Sequence, residues 1–256
     1  MRKSIFEILN NEENINLEKE LSNISYLFNN NWINDEIRLS SYVDEYIIKD
    51  WKYSKRSLNL HDLRQKLEIT TDDLIICNYD LEHSLRYFEL IYNLSILCEK
   101  MIDEDGWEFD EPEEFERLKR NIKSLLEELN YEIVEVVDRY EIIEKDSRAT
   151  YVAESNTEIA TDIIEYRKYD LKGDLKSKRE ILQRLAPQVE ALRKQFGQTT
   201  YKSLMEDTHY LLNSFHIRHN NKDGQHKIDA ICNMKDEELE QWYDVTYNNI
   251  LSVFII

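Results

Sequence analysis

Between His209 and His226 the chain reads His-Tyr-Leu-Leu-Asn-Ser-Phe-His-Ile-Arg-His-Asn-Asn-Lys-Asp-Gly-Gln-His, and four of its six histidines fall there. Arg218, Asn220, Asn221 and Lys222 stand among them. An imidazole can move protons near neutral pH, and a guanidinium supplies a cation that never titrates. On a helix running through residue 219, Leu204, Leu211, Phe215 and Arg218 share one stripe, and Met205, His209, Leu212, His216 and His219 share the next. Arg218 and His219 thus extend core-facing stripes just where the helix is about to end. A guanidinium so placed needs an anion or a set of carbonyls to offset its desolvation, and phosphate is an obvious anion. The polar turn Asn220-Asn221-Lys-Asp-Gly224 can then fold His226 back toward Arg218.

The same residues also suit a plain helix C-terminus, where basic side chains complement the dipole and asparagine tolerates the left-handed conformation. His209 and His216 read as half-buried scaffold. A metal site built from His209, His216 and Asp223 or His226 lacks the spacing of the zinc patterns, so none is expected. No P-loop, dinucleotide fingerprint or nucleophile elbow is present, and the four glycines sit at helix breaks.

The arginine followed by a polar residue, Arg218-His219, with a later histidine, His226, resembles the site of the HEPN superfamily of helical bundles. Seven residues separate Arg218 from His226, where that family's nucleases usually have four to six. The wider text, Glu165-Tyr166 through Asp174 and Leu212 through Asn221, also looks like the C-terminal regions of bacterial abortive-infection proteins of phage defence. The resemblance covers residues 147–256. It implies metal-independent RNA cleavage with no cofactor, in which a ribose 2′-hydroxyl attacks its own phosphate. Arg218 would stabilise the developing charge, and His226 or His219 would serve as acid/base. Asn220, with Asn221 and Lys222, would hold substrate, and a homodimer would complete the site. The alternative is a non-catalytic sensor or interaction module of the same fold.

Stepping outward, 33% charged residues with only four glycines and two prolines mark a mainly helical chain. Its net charge of −19 is uneven. Residues 1–145 hold 18 Lys+Arg against 34 Asp+Glu, and residues 146–256 hold 15 against 18. The first part should repel nucleic acid and anionic membrane and suit a basic protein partner, so any RNA contact is local to the second. Cys77, Cys98 and Cys232 are odd in number, with no C-x-x-C pair, as expected of a reducing cytoplasm. No signal peptide and no membrane span is expected.

Apolar spacing predicts two helices over 3–30, then helices from Asn34 or Asp35 to Trp51, Asp62 to Glu68, Asp80 to Ile102 and Glu111 to Asn130. Residues 131–145 break the period and read as a hairpin turning at Asp138-Arg139. Helices follow from Ala149, interrupted near Ser155-Asn156-Thr157, from Asp174 to Phe196 with a kink or break at Pro187, and from Thr199 or Thr200, and a last one starts within Asn233–Asp236 with Leu239, Trp242, Tyr243, Tyr247, Ile250, Leu251 and Phe254 on its apolar face. The expected organisation is an acidic helical region (1–130), a hairpin connector (131–146) and an antiparallel, HEPN-like bundle (147–256).

Overall fold

The computed structural model describes residues 15–30, 37–49, 51–53, 56–69, 80–104, 113–197, 199–219, 221 and 228–256. It is mainly helical, with one short antiparallel hairpin. The chain divides into two compact units, residues 1–129 with 137–140 and residues 130–136 with 141–256.

In the first unit α1 (Leu17–Asn30) is capped by Asn16, whose Oδ1 accepts from Lys19 N–H at 3.0 Å, and buries Leu21, Ile24 and Phe28 on one stripe. Helix α2 (Leu39–Tyr42) runs into a π-helical turn at Val43–Ile47. It therefore stops short of Trp51, while the predicted caps Asn34 and Asp35 lie outside the described residues. Helix α3 (Leu60–Lys66) starts earlier than its sequence suggests, because Asn59 accepts from Asp62 N–H and caps it. Helix α4 (Leu81–Glu104) carries Leu85, Phe88, Ile91, Leu94 and Cys98 fully buried and packs on α1 and on α5 (Glu113–Glu128). Asp80 caps α4 as expected, its Oδ1 accepting from His83 N–H.

The strands are β1 (Tyr131–Val136) and β2 (Arg139–Glu144). The turn falls at Val137-Asp138, one residue earlier than the sequence suggests, with Val137 in the left-handed region at φ 62°. A β-branched residue there is strained, so nothing in its identity advertises the turn. An isolated two-stranded ribbon is marginal in water. Asn93 of α4 offsets this at the tip by exchanging two hydrogen bonds with the Tyr140 backbone, as a neighbouring strand would. At the base, in the second unit, Arg167 Nε donates to the Glu144 carbonyl at 2.8 Å and its Nη2 pairs with Glu132 at 2.7 Å.

The second unit continues with α6 (Ser147–Ser155) and α7 (Ala160–Tyr166), split at Asn156 as the sequence suggests. A 3-10 turn (Tyr169–Leu171) leads through Gly173, at φ 81°, to the Asp174 cap of α8 (Leu175–Phe196). Helix α8 is continuous through Pro187. It is followed by α9 (Lys202–Ser214), the short α10 (Asp229–Cys232) and α11 (Asp236–Ile255). Helix α11 packs against α6, α8 and α9, sealing a core that includes Val152, Ile163, Leu182, Leu212, Ile250 and Leu251. No helix among the described residues is long and apolar enough to cross a membrane.

One sequence expectation is overturned here: α9 does not run through residue 219. It stops at Ser214 because His216 adopts the left-handed conformation, at φ 59°. Histidine tolerates that region better than most side chains. Two contacts with Asn221 hold it there. His216 N–H donates to Asn221 Oδ1 at 2.8 Å, and Asn221 N–H donates to His216 Nδ1 at 3.2 Å. The helical stripes drawn through Phe215, His216, Arg218 and His219 therefore do not exist.

Candidate functional site

The bend after α9 displays successive residues in opposite directions. Ile217 is fully buried, and its carbonyl accepts from two α8 side chains, Arg179 Nε at 3.2 Å and Gln183 Nε2 at 2.6 Å. With Ile217 pinned inward, Arg218 turns out, and its N–H donates back to the Leu212 carbonyl at 3.0 Å. The Arg218 guanidinium reaches Glu190 of α8, Nη1 lying 3.4 Å from Oε2.

Glu190 gathers more than Arg218. Its Oε1 meets Arg193 Nη1 at 3.2 Å, and its Oε2 meets His209 Nε2 at 3.3 Å. Arg193 Nη1 also lies 3.1 Å from the same imidazole nitrogen. The contact with Glu190 suits a protonated Nε2 and the contact with Arg193 an unprotonated one. Asn213 anchors the histidine, donating from Nδ2 to the His209 carbonyl at 2.7 Å. Partial burial pushes the Glu190 pKa up, but the Arg193 hydrogen bond and the charges of His209, Arg193 and Arg218 outweigh it and hold it below the usual value. One carboxylate thus serves two guanidiniums and an imidazole.

No family model, curated protein or solved structure matches this chain. The arrangement of its own side chains is therefore what speaks to function. Arg218 shares a carboxylate with an imidazole, but it is that of His209, which the sequence reads as scaffold. His219 is half-buried on the same bend. Asn221 is 2% exposed, with its side chain spent on His216 and its carbonyl accepting from Ile228 N–H at 2.8 Å. Asn220, Lys222 and His226 lie outside the described residues. Glu190 and Arg193 escaped notice because their meeting with His209 and Arg218 is tertiary, and their own i, i+3 spacing is that of any solvated helix pair.

A second polar network lines a groove of about 740 Å3 in the same unit. The Lys178 ammonium, with a side chain only 9% exposed, lies 2.8 Å from both Glu240 and Asp244. Tyr166 donates to the same Asp244 oxygen at 2.9 Å while stacking on Tyr247, ring centres 4.1 Å apart. Burial works to lower the Lys178 pKa, yet its two carboxylate partners leave it raised. Burial raises the pKa of Tyr166 and Tyr247 well above that of a free phenol. A lysine on the same stripe as Ile181, Leu182 and Leu185 was the sequence signal for this network.

Among the described residues no group of three or more His, Cys, Asp and Glu side chains could hold a metal ion. Cys98 is buried, which pushes its thiol pKa well up, and the Cys232 thiol, in no disulfide, donates to the Asn221 carbonyl at 3.9 Å.

Proposed function

We propose that the second unit cleaves RNA without a metal, as a HEPN-type endoribonuclease of bacterial anti-phage defence, with Arg218 as its phosphate-facing cation. The observation that supports this reading most directly is the convergence of Arg218, Arg193 and His209 on one carboxylate. An incoming phosphate can share the two guanidiniums with Glu190. The 2′-hydroxyl then attacks phosphorus and gives its proton to an imidazole, the bond to the 5′-oxygen breaks, and that oxygen takes a proton. The products carry a 2′,3′-cyclic phosphate and a 5′-hydroxyl. Arg218 opposes the charge that grows on the phosphoryl oxygens, a role typically worth ~100-fold or more in rate. His209 supplies the imidazole in reach, with His219 on the bend after α9 and His226 further along the chain. In this reading the protein acts in the cytoplasm as a homodimer, and its acidic first unit faces a basic protein partner.

The test is cleavage of a mixed-sequence RNA in EDTA by the wild-type chain, Arg218→Ala and His209→Gln. Loss of about 100-fold in both variants, with cyclic-phosphate ends on the wild-type products, is the expected result. Full cleavage by folded Arg218→Ala would remove Arg218 from the site. The second reading, a non-catalytic interaction module, draws on the ion pair that already compensates Arg218. It predicts that the wild-type chain binds a partner with no cleavage at all.

A further inference from the structure

Toward the N-terminal end of α8 lies a second pocket, of about 320 Å3, in the same unit. Its floor is Tyr243 of α11, which is 1% exposed and whose hydroxyl makes no hydrogen bond among the described residues. Its oxygen keeps contact with solvent, so a ligand entering the pocket can take the place of water as its acceptor. Burial, opposed by the nearby Arg179 charge and reinforced by Asp236, pushes this phenol pKa up to about 12, so it stays a donor.

The walls add cations aimed at the same space. Arg179 is fixed through its Nε to the Ile217 carbonyl, an attachment that leaves both Nη groups without a partner among the described residues. Lys176 stands one turn earlier on the same face of α8, exposed at the rim. His216 lines the wall, and its Nδ1 already accepts from Asn221, so the neutral ring carries its proton on Nε2. Glu180 lines the rim as the acid on this side. A rigid fork of N–H groups, a phenolic O–H and a mobile ammonium together match an acceptor with several charged oxygens.

We propose that this pocket binds a phosphate group, with the Arg179 Nη groups and the Tyr243 hydroxyl donating to its oxygens and Lys176 neutralising it from the rim. The volume is near the lower end for small-molecule sites, ~300–1,000 Å3, which suits a phosphomonoester with a small organic part or one nucleotide at a strand end. The site does not depend on the cleavage reading, because neither Arg218 nor His209 lines it.

The test is calorimetric titration of the full chain with inorganic phosphate, uridine 3′-monophosphate and a 2′-O-methylated oligouridylate that cannot be cleaved. Saturable binding of at least one probe is expected, weakened about tenfold by Tyr243→Phe, which deletes one oxygen and keeps the ring. The thermal midpoint of that variant should be unchanged, so lost affinity cannot be ascribed to unfolding. The loss caused by Tyr243→Phe should persist when Arg218→Ala is added, which separates this site from the proposed cleavage site. Binding of the monophosphate without the oligonucleotide identifies a small-molecule site, and binding of the oligonucleotide identifies a strand subsite. Failure of all three probes, or wild-type affinity in Tyr243→Phe, would overturn the proposal.

Discussion

Two charge clusters of the second unit are built from the same groups in opposite proportion. Around Lys178 two carboxylates serve one ammonium whose side chain is 9% exposed. Around Glu190 two guanidiniums and an imidazole share one carboxylate, and Arg218 keeps 34% of its side chain in solvent. The ammonium at Lys178 is shielded from solvent although Asp244 keeps 46% of its side chain exposed, and every charge there has a partner. At Glu190 solvent and salt weaken each pair, and the cations outnumber the acid. The lesson is that proportion and burial together separate a cation held for the fold from one available to a ligand.

Removing each cation tests the distinction. Lys178→Met leaves Asp244 and Glu240 facing each other without their counter-ion, and should cost about 3 kcal/mol in urea unfolding. Arg218→Ala, measured alongside, should cost under ~1 kcal/mol, because an exposed ion pair contributes little to stability. Equal costs would break the comparison. A smaller effect distinguishes the clusters by pH. Glu190 has a folded pKa below its unfolded value, so its contribution is fully present above about pH 4.5 and lost as pH falls through the folded value. Lys178 has a raised pKa, so its contribution is present below about pH 10.5 and lost as pH climbs through the folded value. Glu190→Gln should therefore flatten the acid limb of the stability profile and leave the alkaline limb unchanged. A change confined to the alkaline limb would refute that assignment.

Where the deciding interaction is local, the sequence announces it. Asp80 and Asp174 cap their helices through backbone N–H groups three residues on, and Gly173 supplies the positive φ before the second of them. Val137 and His216 turn the chain at positive φ without glycine or asparagine, and both turns were placed wrongly for that reason. Most of the apolar face of α11 is legible from spacing alone, with Leu239, Tyr243, Tyr247, Ile250 and Leu251 inside and Trp242 and Phe254 half-buried at its edge. At the candidate site Arg218 stood out by its place in the chain. Its imidazole neighbour did not, because His209 joins it only through a carboxylate on another helix.

The Ile217 carbonyl, pinned by Arg179 and Gln183, is covalently attached to the nitrogen of Arg218. A ligand that pulls on Arg179 therefore pulls on the peptide that sets the bearing of the next residue. The proposed phosphate pocket and the Glu190 cluster would thus meet at a single peptide. Any coupling energy it transmits is reciprocal: occupancy of either site changes affinity at the other by the same factor.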